Sequence, residues 1–422
     1  MIEAVANAFK VPDLKRRIFF TLAMIAVYRF GAHIPVPGVD VGALKDLFAQ
    51  TPLLGFLDLF AGGALSNFAI FALGIMPYIT ASIIMQLLTI VIPTLGQWAK
   101  EGEVGQRKIT QYTRYLTLVL GTVNSIGLTV FFERALRDFG APPFSLGDKA
   151  LIVITLVAGT ALIMWLGELI TQRGIGNGMS ILIFSSIIAR LPEGILATSQ
   201  TGGPLMVIGL VVILLGIVVG IIFVERAQRR IPVQYAKRVV GRKVYGGSST
   251  YIPLKVNSAG VIPIIFASSV LLFPATFTQF FSGGFARTVD RLLDPNGVIY
   301  LTAYATLVIF FTYFYTAIIF NPIDIADNMK KYGGFIPGVR PGKPTATYLD
   351  RVLTRITLPG AFFLAMVAVV PTIIGGILNI PFFTGGNFGG TSLLIMVGVA
   401  LETMRQIESQ LLMRHYDGFL KK

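Results

Sequence analysis

Few residues in this 422-residue chain are equipped for chemistry, and their spacing defeats each reaction in turn. There are no cysteines, which removes thiolate catalysis, disulfides and cysteine-ligated metal together. The two histidines, His33 and His415, lie far apart and neither stands in an HExxH pattern, so they read as interfacial polar residues rather than a zinc or imidazole cluster. GIGNG, at Gly174 to Gly178, follows a membrane-length apolar run instead of a strand and so is no dinucleotide fingerprint. GVRPGKP, Gly338 to Pro344, has the wrong spacing for a phosphate loop and sets Pro344 where a magnesium-binding Ser or Thr is needed. No metal, cofactor or nucleotide is expected to bind. Any energy for moving cargo must come from another component.

Ion-coupled transport would need acidic or polar groups at mid-membrane, where charge is expensive and marks a path. Glu168 lies near the inner end of its apolar run, and Arg29 near the outer end of the first, where it can snorkel. Glu402 and Arg405 are one turn apart in the last run and read as a helix-stabilising pair. The remaining material is apolar. Ile75 and Ile79 stand at i, i+4 and share one helix face, and Met179 with Ile183 repeats that spacing. Apolar pairs of this kind usually face lipid or a neighbouring helix, so spacing alone does not define a pore.

The elements that must position these residues are membrane helices. The chain is 54% hydrophobic and only 13% charged, with a mean hydropathy of +0.74, a balance that a soluble globular protein could not keep solvated. Apolar runs long enough to cross a bilayer fall near residues 18–36, 69–92, 115–132, 150–170, 179–197, 204–224, 259–280, 299–320, 356–377 and 392–413. The first follows Lys10, Lys15, Arg16 and Arg17 without a small-residue cleavage pattern, and it is expected to stay in the protein. With both termini inside, all but eight of the 35 lysines and arginines fall on inside segments, as the positive-inside rule requires. Ten spans divide into five plus five, residues 1–200 and 201–422. An odd number per half gives the second half inverted orientation, with the functional path at the interface between halves.

Phe60 to Gln86 sets a short apolar segment, broken at Gly62-Gly63, against a full spanning run. It is expected to be a half-helix folded back beside a spanning helix. Such backbone is tolerated at membrane depth only where protein buries it or where it lines a cavity. Two connections, Glu225 to Asn257 and Asn321 to Arg355, are too long for simple linkers and are rich in cations. Alternating runs around Val233 to Tyr235 and Thr250 to Leu254 predict a small hairpin in the first. Their cations either fix topology against anionic lipid or dock a large partner with acidic protein or RNA surfaces.

FAGGALSNFAIFALGIMPYITASIIMQLL, MWLGELITQRGIGNGMSI, QRRIPVQYAKR, PLKVNSAGVIPIIFASS and NPIDIADNMKKYGGFIPGVRPG resemble the bacterial SecY family, channel subunits of the Sec protein translocon. The match runs from about Leu14 to Arg414. The resemblance implies an all-α polytopic membrane protein, ten transmembrane helices in two inverted five-helix halves around a central hourglass pore. It assigns a plug to Phe56, Leu57, Asp58, Leu59, Phe60, Ala61, Gly62, Gly63, Ala64, Leu65, Ser66 and Asn67. It places Ile75, Ile79, Met179, Ile183, Ile265 and Ile395 in an apolar pore ring, with Met179 standing where an aliphatic branched residue is frequent. Polar candidates at a lateral gate are Thr80, Gln86, Asn257, Ser258, Ser268 and Ser269, expected to bond weakly across the helix seam.

By the same resemblance, Arg242, Lys243, Arg340 and Lys343 lie in loops that dock the SecA motor and the translating ribosome. SecE and SecG are implied as partner subunits, and SecDF and YidC as further partners. The implied function is passage of unfolded polypeptide across the bacterial plasma membrane and sideways release of apolar segments and signal sequences into lipid, without catalysis. A secondary transporter for a small solute also fits inverted halves and a broken helix, but would need a midplane acidic site. A membrane scaffold would need neither the broken segment nor the basic loops.

Overall fold

The structure, a computed structural model, describes residues 9, 11–37, 39, 48, 52–138, 143–235, 238–240, 243–245, 249–278, 297–383 and 388–420. Arg242 lies outside the described residues, as do the side chains of Phe56, Leu57 and Lys243. The N-terminal half contains α1 (Pro12–Gly31), α2 (Pro52–Ala61), α3 (Met76–Val91), α4 (Pro93–Lys100), α5 (Glu103–Asp138) and α6 (Leu146–Arg173). It runs on without a loop through α7 (Gly178–Arg226). The remainder contains α8 (Ile262–Thr278), α9 (Val298–Ile319), α10 (Pro322–Lys331), α11 (Lys343–Leu378) and α12 (Gly390–Leu420).

Helix boundaries follow the sequence chemistry. A proline in the first turn opens α1, α3, α4, α10 and α11, where the missing N–H is an orphan in any case. Ser145 and Asp148 form a reciprocal capping box at the start of α6. The expected fifth and sixth spans both fall within α7, whose helix breaks where Gly203 takes φ 66°, ψ −169° ahead of Pro204. Only glycine enters that region readily, and the proline removes a ladder donor.

Among the described residues, five helices are long and apolar enough to cross a membrane, or six if α3 and α4, bent by 102°, count as one span. Length and composition therefore do not reproduce the ten crossings read from the apolar runs. Bent α7 absorbs two of them, and α8 is short. Cations Lys15, Arg16, Arg17 and Arg29 lie within α1, and Glu402, Arg405 and Glu408 within α12. The second run, expected to be helical from residue 69, becomes α3 only at Met76, because residues 62–75 are turns. That stretch is tied to the end of α1 by an antiparallel bridge, Pro35 to Ala69, with Val36 N–H donating to Phe68 O and Ile70 N–H to Ile34 O.

A single buried apolar cluster joins α1, α2, α3, α5, α6, α7, α8, α9, α11 and α12, drawing on both halves of the chain. A second core lies in the two long connections. The predicted hairpin is present: β1 (Gln228–Tyr235) pairs antiparallel with β4 (Ser249–Lys255), from Gln228 opposite Lys255 to Gln234 opposite Ser249. Between them, β2 (Arg238–Val240) and β3 (Lys243–Tyr245) form a second antiparallel pair. Ile231 and Val233 are buried while Pro232 and Gln234 are exposed, the alternation of a strand with one covered face. The other connection contributes β5 (Gly334–Phe335), which pairs with β1 to complete the order β4-β1-β5. Ile231, Val233 and Leu254 pack with Met329, Ile336, Leu349 and Leu353.

A close helix contact involves the glycine-rich turn between α6 and α7. Asn177 caps α7 by accepting from Met179 and Ser180 N–H, and a β-carbon on Gly178 would overlap the Gly167 carbonyl of α6. Gly178→Ala should cost about 1–3 kcal/mol through overpacking. Gly209→Ala, where a β-carbon meets nothing within 4 Å, should be neutral or mildly stabilising. Thermal unfolding of both variants in detergent would check the contrast.

Candidate functional site

The six residues assigned to the ring come from α3 and its N-cap, α7, α8 and α12. All are buried: Ile75 is 2% exposed, Ile79 7%, Met179 9%, Ile183 2%, Ile265 7% and Ile395 0%. All belong to the same apolar cluster. Three of them have distinctive local surroundings. Ile75 caps α3 ahead of Pro77. Met179 stacks its thioether over Gly167, where a β-carbon would collide with the sulfur. Ser268 and Ser269 both donate to the Ile265 carbonyl, at 2.9 and 2.8 Å.

The assigned plug begins as helix α2 and continues as turns after Ala61. Leu59, Phe60, Ala61, Ala64 and Leu65 are buried in the same cluster as the ring, while Gly63, Ser66 and Asn67 are half-buried. Gly62 adopts φ 66°, and a β-carbon there would stand 2.9 Å from the Ser186 backbone of α7. That combination of left-handed backbone and close approach requires glycine. Arg29 Nη1 donates to the Gly62 carbonyl at 2.7 Å. Tyr28 Oη and Ser186 Oγ lie 2.7 Å apart, joining α1 to α7 beside the segment.

Asp58 organises the turn. Its side chain is 0% exposed, and Oδ1 accepts from Leu65 N–H at 2.9 Å and Ser66 N–H at 3.1 Å. Its Oδ2 faces Arg190 Nη1 of α7 at 3.2 Å. Sequence reasoning missed Tyr28, Ser186 and Arg190, and took Arg29 as a snorkelling side chain. The available signal was two arginines at the outer ends of apolar runs with an acid, Asp58, in a segment expected to fold back beside them.

The polar candidates for a lateral seam behave differently from expectation. Ser268 and Ser269 satisfy themselves inside α8, as a hydroxyl in apolar surroundings does by bonding the preceding turn. Asn257 is buried and donates to Glu225 and to the Gly260 carbonyl at the foot of α8. Ser258 donates to the Lys255 carbonyl. Thr80 is half-buried on α3. Gln86 alone among these six makes a bond from helix to helix, accepting from the Tyr315 hydroxyl of α9. Tyr315 and Phe311 meet Phe266 of α8 edge-on, at centroid separations of 5.0 and 5.7 Å. The contact between α8 and α9 is thus aromatic, and α3 joins it through the polar Gln86.

Of the acids within apolar runs, Glu168 is engaged in an ion pair. Glu168 forms a bidentate pair with Arg114, Nε to Oε1 at 2.7 Å and Nη2 to Oε2 at 2.6 Å, tying α6 to α5. Arg405, expected to pair with Glu402, instead donates to the Glu225 carbonyl at 2.9 Å. Among the described residues, no group of three or more His, Asp or Glu side chains could hold a metal ion. Arg340 and Lys343 are exposed on the turn between β5 and α11.

Ten helices that share one buried apolar cluster, with the non-helical stretch after α2 folded into it, define a helical membrane protein whose core is drawn from both halves of the chain. The SecY family model matches residues 69–404, and the chain belongs to that family. It is 51% identical over the full length of both chains to protein translocase subunit SecY of Streptomyces scabiei. The corresponding subunits of Corynebacterium glutamicum and Mycobacterium tuberculosis are 49% and 46% identical, also over the full length of both chains. Its fold matches a solved protein-conducting channel at a TM-score of 0.64 and 17% identity, covering 94% of this chain and 92% of the other. A SecY structure in which the plug is described as stabilising the closed state matches at 0.65 and 17%, with the same coverage. Sec61 from a canine ribosome-channel complex matches at 0.59 and 15%, again covering 94% and 92%.

None of the six ring side chains carries a hydrogen-bonding N–H or O–H, so an amide placed there should hold water and wet the constriction. Ile79→Asn and Ile183→Asn are each expected to raise resting ion flux through sealed vesicles severalfold. Unchanged flux in both would count against the ring.

Proposed function

We propose that this chain is the central pore of a Sec-type translocation channel in the bacterial plasma membrane, with ten crossings, both termini cytosolic, and two inverted halves, 1–200 and 201–422, around an hourglass path. Unfolded polypeptide passes through the ring, and apolar segments leave sideways between α3 and α8. The carrying observation is that α2 and the turn after it are buried in one apolar cluster with six ring residues drawn from both halves.

The physical division of labour follows. An apolar ring seals by dewetting and offers a passing chain nothing to bind, so it discriminates little between sequences. Isoleucine and methionine can be pushed aside, methionine with particular ease. The 56–67 segment supplies a second closure. Catalysis has no part in this, and drive comes from a motor such as SecA or from a ribosome docked on the cytosolic sheet. SecE and SecG complete the channel. Exposed Arg340 suits docking, because its fork binds carboxylate and phosphate oxygens in pairs.

Two experiments test this reading. Arg340→Glu should reduce SecA-driven export of a secretory protein into vesicles severalfold while sparing insertion of an apolar segment; normal export would sink the docking assignment. In this cysteine-free chain, Ala61→Cys with Gly74→Cys would set β-carbons 3.4 Å apart, close to disulfide spacing. Gly74 adjoins Ile75 of the ring. Oxidation should stop export and reduction restore it, and export through the oxidised channel would refute a movable plug.

A further inference from the structure

We infer that Arg190 is the clasp that positions the closed plug: its guanidinium, reaching from α7, holds Asp58 and Gly55 of α2, and the bond can be exchanged for water when the segment moves. This rests on the reading of the segment as a movable plug.

Asp58 is the only charged residue between Pro52 and Asn67. It sits among Leu59, Phe60, Leu65 and Phe68, all buried, where an unpaired carboxylate is strongly disfavoured. Its two oxygens have separate duties. Oδ1 is occupied within the segment, by Leu65 and Ser66 N–H, and those bonds can travel with the segment. Oδ2 accepts no aligned hydrogen bond; its charged neighbour is Arg190, on another helix. The same Nη1 donates to the Gly55 carbonyl at 3.3 Å, so one guanidinium engages α2 at two places one turn apart.

Arg190 has a second carboxylate at hand. Its Nε lies 3.6 Å from Glu193 Oε2, one turn along α7, and that side chain is 73% exposed. Loss of Asp58 therefore leaves the arginine with an acid beside it, while loss of Arg190 leaves a buried carboxylate without its cation. A buried pair is poor at adding net stability but costly to break by removing one member. Such a bond fixes the position of the plug without making it permanent, because a moved segment rehydrates both charges.

The asymmetry makes the clasp testable by a double-mutant cycle in reconstituted channels, read as resting ion flux. Arg190→Gln should raise flux severalfold. Asp58→Asn retains the acceptor for Leu65 and Ser66 and should raise it less. The combined variant should leak less than Arg190→Gln alone, and Arg190→Lys, which keeps the cation, should fall near the unmodified chain. Additive leaks, or an Arg190→Gln channel that seals normally, would overturn the clasp. Recovery of membrane accumulation in the combined variant, where Arg190→Gln alone is lost, would report the same coupling, and loss of both would overturn it. The 61–74 disulfide separates the two readings: if the lock still blocks export while the cycle is additive, the plug stands and the clasp falls.

Discussion

Backbone that is not helical must find hydrogen-bond partners before it can sit inside a membrane protein, and the stretch 62–75 is where this chain meets that demand. Arg29 donates to Gly62, and residues 34–36 bridge to 68–70. The Asp58 carboxylate accepts from Leu65 and Ser66. Each is a side chain or strand brought from elsewhere to satisfy a turn. Because the turn is satisfied, α2 can double back into the apolar cluster and α3 can begin at Met76. The ring position Ile75 is then fixed as its N-cap.

The sequence showed most of this outline. Apolar runs located the long helices, the Gly62-Gly63 break located the end of α2, and alternation at Val233 to Tyr235 located the hairpin. Each is a local pattern written in neighbouring residues. What escaped was non-local. Arg190 finds Asp58 across 132 positions, a separation no periodicity records, and β5 is a two-residue strand too short to carry any alternation. Ten crossings were read where length and composition mark five or six, because α7, kinked at Gly203, holds two of the apolar runs in one element and α1 carries four cations.

The polar candidates teach a related lesson about side chains. Ser268 and Ser269 could equally bond across a seam or back onto their own helix, and residue type does not decide between them. The structure turns both onto the carbonyl of Ile265, so the two hydroxyls spend their protons within α8. Between α8 and α9 the contact is instead aromatic, Phe266 meeting Phe311 and Tyr315 edge-on.

The sheet in the two long connections has a mechanical meaning. With β5 hydrogen-bonded to β1, and Met329, Leu349 and Leu353 packed under Ile231 and Leu254, the two basic connections move as one stiff body instead of two tethers. Its roots are clamped too. Asn257 holds Glu225 at the junction with α8, and Arg405 of α12 holds the same residue by its carbonyl. A push on either connection therefore arrives at the foot of α8 and at α12 as leverage, through the one residue that both Asn257 and Arg405 hold.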